Sequence, residues 1–526
     1  MKSKAQLQKT QKKARGAASF PIVGIGASAG GLEALEGFFA NLSADSKLAF
    51  VVIQHLDPKH KSLMGSLLQK FTAIPIVEIA DGLKVEPACI YLNPPNKNVV
   101  ILNGTLQLIE PVKKDGLNLS IDCFFRALAE DRKEKAICII LSGTGSDGTL
   151  GLKAIKGAGG ITMVQEEHQA QYPGMPGSAI DTGLVDFILP VEQMSIELQK
   201  YVQHPYIEGL PKQEKIEAQF ENALQKIFIL LRSNVGHDFS GYKETTIRRR
   251  IERRMAVHRI EDIARYVRYL QETPAEMEKL FKDLLIGVTN FFRDAEALAM
   301  LKDRVLPMLA ANRPADAPIR IWVTGCSTGE EAYSIAMLLF ETLETLNTHC
   351  EVQMFASDID PDAIEYARNA VYPLTIAADV SPERLHQFFT KEGENYKVKK
   401  HIRETVIFAV HNLIKDPPFS KLDLVSCRNV LIYLKTELQK KILPLFHYTL
   451  NPHGFLFLGN SEGIGESTDL FAPFEPKERI FQRNELAGEK SLNYPTIPFF
   501  EAPLPGQKFA EEKGSPKVEI RRLVER

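Results

Sequence analysis

Residues 21–31 read Pro-Ile-Val-Gly-Ile-Gly-Ala-Ser-Ala-Gly-Gly, a short apolar run followed by a turn of small residues. This pattern predicts a buried strand, a tight turn and the start of a helix. Further apolar runs at 50–53, 137–141 and 161–164 are separated by helix-like stretches. Alternation of this kind is typical of a parallel sheet covered by helices on both faces. The first part of the chain is therefore predicted to be an α/β domain.

The glycine-rich turn fits two templates with different chemistry. Gly24, Gly26 and Gly30 match a dinucleotide-binding loop, which would indicate a dinucleotide-dependent oxidoreductase. The same residues also match a nucleophile elbow that presents Ser28 at the edge of the sheet. A dinucleotide loop requires an acid at the end of the next strand, where this sequence instead has His55. The glycine pattern alone leaves both templates open.

A second loop favours the nucleophile elbow. Residues 142–148 read Ser-Gly-Thr-Gly-Ser-Asp-Gly after another apolar run, which places Asp147 at the same edge of the sheet as Ser28 and His55. In a catalytic triad the His accepts the nucleophile's proton and the acid orients the His. Each residue alone has a structural explanation, as a helix cap, a strand end or a turn former. Together they predict nucleophilic catalysis, with the Ala29 N–H as an oxyanion donor.

Three motifs together resemble the catalytic domain of the chemotaxis protein-glutamate methylesterases (CheB type) over residues 20–205. They are the Gly-Ala-Ser-x-Gly-Gly turn, Gln-His at 54–55 and the Gly-x-Gly-x-Asp-Gly loop. The resemblance implies hydrolysis of glutamate γ-methyl esters on a chemoreceptor, with release of methanol, and deamidation of glutamine at the same sites. Ala29 and Thr144 stand where the family has Thr and Met. The receiver domain of free-standing members is expected to be absent.

The middle of the chain, residues 215–290, is rich in Lys, Arg, Glu and Leu at helical spacing and predicts a helical subdomain. Residues 243–259 include seven basic residues and only two acidic ones. Such a run is commonly a solvated face. Nucleic acid is a weak alternative because no aromatic platform accompanies the run. An acidic protein substrate is the favoured partner, with Arg249, Arg250 and Arg253 predicted to bind it.

From residue 319 the alternation of apolar runs and helical stretches resumes, which predicts a second α/β domain. Residues 324–331 read Thr-Gly-Cys-Ser-Thr-Gly-Glu-Glu, a loop of small residues that ends in two acids. Acids at this position disfavour a phosphate group and favour a cationic ligand. The next apolar run ends at Asp358, a position suited to ribose hydroxyls. Glu331 and Asp358 thus predict S-adenosylmethionine, although acids at an ordinary helix start are the alternative.

Further segments resemble the chemotaxis receptor methyltransferases (CheR type) over residues 215–485. The segments lie at 289–293, 411–413, 426–433 and 459–462. The resemblance implies a Rossmann-like domain that binds S-adenosylmethionine and methylates receptor glutamates. The cofactor contacts that it implies are Thr289, Arg293, Glu331, Asp358, Asn412, Leu413, Asn429 and Val430. It places Tyr433 near the transferred methyl group, whereas Gly287 replaces an Asn that contacts the cofactor in the family.

Composition sets limits on the whole chain. Its 526 residues suggest about three domains, and its net charge of −2 argues against a dedicated nucleic-acid-binding protein. Six dispersed cysteines, without a Cys-x-x-Cys pair or a His cluster, predict neither a disulfide scaffold nor a metal site. No apolar run reaches the roughly 18 residues that cross a bilayer. A cytoplasmic location without membrane insertion is therefore expected.

The predicted organisation has two tails, a linker and three folded parts. The parts are a disordered basic tail (1–20), a methylesterase domain (21–203), a linker (204–214), a helical subdomain of the methyltransferase (215–290), an S-adenosylmethionine-binding methyltransferase domain (291–485) and a flexible tail (486–526). Such a fusion is predicted to add and remove methyl groups on chemoreceptor-like proteins with Glu-bearing helices. The departures at Ala29, Thr144 and Gly287 leave a second hypothesis, a signalling scaffold in which one or both sites are vestigial.

Overall fold

A computed structural model describes most of the chain between residues 20 and 485. The described ranges are 20–43, 46–55, 63–111, 119–204, 214–285, 287–311 and 317–485. The predicted basic tail, nearly all of the linker and the predicted C-terminal tail lie outside them. By compactness the chain divides into two units. One comprises Met1–His237, Ile247–Val288 and Pro373–Ala378, and the other comprises Asp238–Thr246, Thr289–Tyr372 and Asp379–Arg526.

The first unit contains ten described strands. They are β1 (Ile22–Ala27), β2 (Ala49–Gln54), β3 (Ile76–Glu78), β4 (Leu83–Lys84), β5 (Cys89–Leu92), β6 (Asn98–Leu102), β7 (Thr105–Ile109), β8 (Ala136–Ile140), β9 (Ile161–Gln165) and β10 (Phe187–Leu189). Seven of them form a fully parallel sheet in the order β10-β9-β8-β1-β2-β5-β3. All of β1 is buried, as is typical of a central parallel strand. The predicted parallel α/β fold is confirmed.

Helices cover both faces of this sheet. They are α1 (Gly31–Ala40), α2 (Met64–Leu68), α3 (Ser120–Arg132), α4 (Thr149–Ala158), α5 (Gly174–Ile180) and α6 (Val191–Val202). Alternate residues of β2 enter two different cores: Phe50 and Val52 pack in one, and Val51 and Ile53 pack in the other. Strands β4, β6 and β7 form a small separate antiparallel sheet. The sheet thus separates two buried cores, one on each face.

Four helices follow, as the sequence predicts for the middle of the chain. They are α7 (Glu214–Val235), α8 (Glu244–Val257), α9 (Ile263–Glu272) and α10 (Pro274–Leu285). Buried positions in α9 recur at helical spacing, at Ile263, Tyr266, Val267 and Leu270. Asp262 caps this helix, because its Oδ1 accepts the Ala264 N–H at 3.0 Å.

The second unit is built on a mixed sheet. Its strands, together with those of a small sheet, are β11 (Ile319–Thr324), β12 (Val352–Asp358), β13 (Val371–Pro373), β14 (Phe389–Glu392), β15 (Asn395–Val398), β16 (Val406–Val410), β17 (Leu422–Cys427), β18 (Leu450–Leu458), β19 (Phe471–Glu475) and β20 (Ile480–Arg483). The large sheet has the order β16-β12-β11-β17-β18-β20-β19. Its first five strands are parallel to one another. Strand β20 is antiparallel to both of its neighbours, β18 and β19. The second predicted α/β domain is confirmed.

Helices and turns connect these strands. The helices are α11 (Ala295–Met300), α12 (Leu306–Ala311), α13 (Glu330–Thr345), α14 (Pro361–Asn369), α15 (Pro382–Phe388), α16 (Lys400–Arg403) and α17 (Thr436–Thr449), and Leu431–Tyr433 forms a 3₁₀ turn. Because β16, β12, β11 and β17 are parallel neighbours, their carboxyl ends meet at one edge of the sheet. Within the described ranges, no helix has both the length and the apolar character needed to cross a membrane.

Candidate active sites

Ser28, His55 and Asp147 form a continuous hydrogen-bonded chain in the first unit. His55 Nδ1 lies 3.1 Å from Ser28 Oγ, and His55 Nε2 lies 2.8 Å from Asp147 Oδ2. Ser28 and His55 directly follow the neighbouring strands β1 and β2, whereas Asp147 lies in the loop between β8 and α4. When Nε2 donates to the carboxylate, Nδ1 is left to accept the serine proton. This is the order of contacts that the sequence predicted for a nucleophile, a base and an acid that orients the base.

The N-terminus of α3 holds Asp147 in place. The Ile121 N–H donates to Oδ2 at 3.0 Å, and the Asp122 N–H donates to Oδ1 at 2.9 Å. The Asp147 side chain is buried. Both donors are backbone N–H groups of the first turn of the helix, which have no partner within the helix itself. The carboxylate that contacts His55 is therefore itself held by two backbone donors.

Ser142 fixes the turn that carries Ser28. The Ser28 N–H donates to the Ser142 carbonyl at 3.0 Å, and Ser142 Oγ donates to the Ala29 carbonyl at 2.9 Å. The same Oγ accepts the Tyr172 N–H at 3.0 Å. Gly30 then has a φ of 70°, in the left-handed region that favours glycine. Backbone on both sides of Ser28 is thus constrained.

The environment of Gly26 distinguishes between the two templates for the turn. A Cβ atom at Gly26 would lie 2.5 Å from Ile121 Cγ2 of α3. The absence of a side chain therefore allows α3 to pack closely on β1. In a dinucleotide loop, such a glycine lets a pyrophosphate approach the backbone. The packing, together with the Ser28–His55 contact, favours the nucleophile elbow.

Asp358, the last residue of β12, supplies a carboxylate at the edge of the second large sheet. Its Oδ2 accepts the Ser327 N–H at 2.8 Å, and its Oδ1 accepts the Asp360 N–H at 3.0 Å. Burial raises the pKa of this carboxyl, and the backbone donors oppose the rise. No Lys or Arg of the described ranges forms an ion pair with it. Asp358 is therefore an acceptor that no cation in the described part of the chain neutralises.

Glu331 belongs to a second polar network at the same edge. Its Oε1 accepts a hydrogen bond from Ser426 Oγ at 2.7 Å, and its Oε2 lies 3.5 Å from Arg428 Nη1. Arg428 Nη2 also donates to Asp294 Oδ2 at 2.7 Å and to the Arg293 carbonyl at 3.1 Å. Burial raises the pKa of Glu331, and Arg428 opposes the rise. The network joins α13, the end of β17 and the segment that carries Arg293.

The other predicted residues at this edge follow β16 and β17. The Asn412 N–H donates to Asp416 Oδ2 at 2.7 Å, which shapes the turn after β16. Leu413 and Val430 pack against the core beneath the sheet. Asn429 has a φ of 60°, and its buried Oδ1 has no hydrogen-bond partner in the described part of the chain.

Comparison with known families matches each of these parts separately. Residues 23–198 match the family described as CheB methylesterase. Residues 287–480 match the S-adenosylmethionine-binding domain of CheR methyltransferase, and residues 222–285 match the all-alpha domain of that family.

Individual relatives cover the same parts. "Putative methyltransferase Cher3" of Pseudomonas putida is 33% identical over 258 residues, which are 47% of this chain and 92% of the relative. An uncharacterized 104.1 kDa protein of Rhodobacter capsulatus is 36% identical over 439 residues, 80% of this chain and 46% of that protein. The solved catalytic domain of the Thermotoga maritima CheB methylesterase is 30% identical, with a TM-score of 0.33, over 34% of this chain and 97% of that domain.

The chain belongs to the CheB methylesterase and CheR methyltransferase families. A CheB methylesterase domain and an S-adenosylmethionine-binding CheR methyltransferase domain share one polypeptide. Relatives of the methyltransferase part include a protein of Vibrio parahaemolyticus named chemotaxis protein methyltransferase. The chain spans about half the length of the Rhodobacter capsulatus relative, at 46%.

The CheR-type helical part contradicts one prediction about the basic helix. Arg250 is buried, and its guanidinium donates to the carbonyls of Lys156 at 3.1 Å and Gly157 at 2.8 Å, at the end of α4. Arg249 is 44% exposed, and its Nη2 donates to the Ala158 carbonyl at 3.5 Å. These contacts hold α8 against the methylesterase domain. The predicted substrate-binding role is wrong for Arg250, because its donors are engaged inside the protein.

Arg253 is more deeply buried than Arg249 and cannot reach a substrate either. Its side chain is 0% exposed and forms ion pairs with Asp186 and, at 2.5 Å, with Asp283. Its Nε donates to the Gly160 carbonyl at 3.0 Å. The run of basic residues indicated a cationic helix, but it could not show that buried carboxylates pair with Arg253. The predicted substrate contact is therefore wrong for Arg253 as well.

Two groups that matter for the sites were not singled out from the sequence. Ser142 lies in the loop quoted for Asp147, and Arg428 lies in the segment quoted for Asn429, but neither was given a role. Their roles depend on contacts between residues that are distant in sequence, such as Ser142 and Ala29, which are 113 residues apart.

Three further positions singled out from the sequence differ in exposure. Thr289 and Arg293 are half-buried, and Gly287 is exposed.

Proposed function

We propose that the chain both methylates glutamates of chemoreceptor-like proteins and hydrolyses the resulting γ-methyl esters. The observation that carries the proposal is the Ser28–His55–Asp147 chain on one sheet and the Glu331 and Asp358 carboxylates on the other. The proposed division assigns 21–203 to the esterase. It assigns 215–290 and 291–485 to the transferase.

In the proposed esterase reaction, Ser28 Oγ attacks the ester carbonyl carbon while its proton passes to His55 Nδ1. The developing imidazolium is stabilised by Asp147 through Nε2–H. The Ala29 N–H is the proposed donor to the oxyanion. Collapse of the tetrahedral species breaks the bond to the methoxy oxygen, which takes the proton from His55 and leaves as methanol. A water molecule then repeats the sequence and frees Ser28.

Deamidation of glutamine follows the same steps with a different leaving group. The tetrahedral species formed by Ser28 expels ammonia once His55 has protonated the amide nitrogen. Hydrolysis of the same acyl-enzyme then yields glutamate. The single Ser–His–Asp chain therefore supports both reactions at receptor sites.

The residues at the second sheet edge suit S-adenosylmethionine. Asn429 Oδ1 and Ser327 Oγ are buried atoms without a hydrogen-bond partner in the described ranges. Within the same ranges, no Lys or Arg forms an ion pair with Asp358. When bound, the cofactor supplies a methyl group made electrophilic by its positively charged sulfonium. Asp358 would hold the ribose hydroxyls, and Glu331 would lie near the cationic end.

The remaining proposed contacts complete this pocket. They are Thr289, Arg293, Asn412, Leu413, Asn429 and Val430, with Tyr433 near the transferred methyl group. A substrate glutamate with an ordinary pKa of about 4.3 is already ionised at neutral pH, so no general base is required. The residues therefore act by aligning the two reactants and excluding water.

The proposed partners are receptor-like proteins with Glu-bearing helices, met in the cytoplasm. Arg249 keeps its proposed substrate contact because it remains partly exposed. The six cysteines all lie in the described ranges and form no disulfide there, which suits a reducing compartment.

The test uses the full chain and a candidate receptor, with labelled S-adenosylmethionine and a methanol-release assay. Ser28→Ala is expected to abolish methanol release and to leave label incorporation intact. Asp358→Ala is expected to do the reverse. Methanol release that is unchanged in Ser28→Ala would contradict the triad, and wild-type chain without either activity would favour the scaffold hypothesis.

A further inference from the structure

The carboxylate of Glu462 is buried and is surrounded by backbone donors. Its Oε2 accepts the N–H groups of Asn429 at 2.8 Å and Gly459 at 2.7 Å, and its Oε1 accepts the Ile432 N–H at 3.2 Å. The residue is 5% exposed. No Lys or Arg in the described ranges forms an ion pair with it. Backbone N–H groups therefore offset the cost of burying this carboxylate.

Two of these three donors belong to one short segment, residues 429–433. The segment begins at Asn429, whose φ of 60° is unusual for a residue other than glycine. It contains Asn429, Val430 and Tyr433, all proposed to contact the cofactor or its methyl group. Glu462 bonds to both Asn429 and Ile432, so one side chain constrains most of the segment.

The segment in turn packs on the small-residue loop after β11. A Cβ atom at Gly325 would lie 2.4 Å from Val430 Cγ2, so Val430 occupies the space that a side chain there would need. Gly325 has a φ of 66°. The position of Val430 against this loop depends on the backbone course that Glu462 fixes.

We propose that Glu462 is a positioning residue of the methyltransferase site. Its carboxylate holds residues 429–433 in the conformation that binds S-adenosylmethionine, without touching the cofactor. This inference rests on the proposed function, since it assigns a role to the same site.

The experiment measures binding and turnover of S-adenosylmethionine by the full chain carrying Glu462→Gln. The amide keeps the size of the side chain but places an NH₂ group against a backbone N–H. Glu462→Gln loses hydrogen bonds to a charged group, which are stronger than those to a neutral one. Because residues 429–433 are then held less firmly, the Kd and the KM for S-adenosylmethionine are expected to rise about tenfold or more. The kcat at saturating cofactor, the thermal midpoint and methanol release are expected to change little.

A matched control and a second variant complete the design. Glu466→Gln alters a side chain that is 81% exposed and pairs with Lys440, and it is expected to leave the Kd unchanged. Gly459→Ala keeps the carboxylate but places a Cβ atom 2.8 Å from Glu462 Oε2 and 2.9 Å from the Asn429 nitrogen. It is expected to raise the Kd in the same direction.

The outcomes separate this inference from the proposed function. Wild-type chain that does not bind S-adenosylmethionine would defeat the proposed function itself. Wild-type binding with an unchanged Kd in Glu462→Gln would defeat only the positioning role. A Kd that rises only in parallel with loss of the thermal midpoint, in both Glu462→Gln and Gly459→Ala, would reduce Glu462 to a fold-stabilising residue.

Discussion

Arg253 of α8 and Asp186, the residue directly before β10, form an ion pair in which neither side chain is exposed to solvent. Asp186 also accepts a hydrogen bond from Lys156 Nζ at 2.7 Å, and Arg253 also pairs with Asp283 of α10. Charges from the helical segment and from the methylesterase sheet thus neutralise each other in the interior. The pairing makes these helices a packed part of the first unit.

Replacing Arg253 with Met is expected to destabilise this unit by about 3–5 kcal/mol, because Asp186 and Asp283 would remain buried with less compensation. Urea unfolding followed by circular dichroism measures the change. Arg265→Met, at an exposed position of α9, is the matched control and is expected to unfold like the wild type. Exposed ion pairs contribute less than about 1 kcal/mol. A loss below that value would show that this buried pair contributes no more than an exposed one.

The stability of the first unit is expected to depend on pH through the same carboxylates. Burial alone would raise the pKa of Asp186, but Arg253, Lys156 and Arg254 outweigh it and hold the pKa below its usual value. The pKa of Asp283 is lowered in the same way. Unfolded carboxyls take up protons near a pKa of about 4, whereas the folded ones stay ionised to lower pH.

The free energy of unfolding should therefore be nearly constant above about pH 5 and fall as the pH drops through about 4. Urea unfolding midpoints measured from about pH 4 to neutral pH test this dependence of stability on pH. The decline should be shallower in Arg253→Met, since the pKa of Asp186 then lies closer to that of the unfolded chain. Equal slopes in the two proteins would show that other groups govern the acid transition.

Asp147→Asn is expected to lower kcat for methanol release by about 10³–10⁴-fold, since the amide cannot stabilise the imidazolium of His55. Methyl incorporation by the other site should be unaffected. Glu33→Gln, an exposed change in α1, controls for nonspecific effects. A loss of less than tenfold would mean that Asp147 does not orient the base.

Asp358→Asn is expected to weaken S-adenosylmethionine binding by about tenfold or more, because the amide brings an NH₂ group against the N–H of Ser327 or Asp360. Isothermal titration calorimetry measures the Kd, with the exposed change Glu365→Gln of α14 as control. An unchanged Kd would remove Asp358 from the cofactor site.

Cofactor affinity is also expected to respond to pH. Burial raises the pKa values of Glu331 and Asp358, so each carboxylate becomes neutral at a higher pH than an exposed acid would. A cationic ligand prefers the ionised forms, and the Kd should therefore rise as the pH falls toward these pKa values. Methanol release assayed in parallel shows whether the loss is local. A Kd that is flat down to about pH 4 would contradict the assignment.

Much of the fold could be predicted from local pattern. The apolar run 22–25 lies within the observed strand β1, because a strand buried on both faces is written as a continuous apolar segment. The antiparallel pair β19 and β20 escaped prediction, since its exposed positions interrupt the apolar pattern. Strand order was likewise beyond a local pattern.

The sequence by itself determined the candidate groups: a serine in a glycine-rich turn, a histidine and acids after apolar runs, and a helix rich in arginine. Their chemistry is local, so residue type and spacing were enough. Only the tertiary structure decided that His55 contacts Ser28 and Asp147 through opposite ring nitrogens, and that Glu462 binds the segment that begins at Asn429. It also decided that Arg253 is buried. The physical reason is that strand order and helix packing bring together partners that are distant in sequence. A periodic sequence pattern shows which residues share a face of a helix, but it does not show which residues pack against that face.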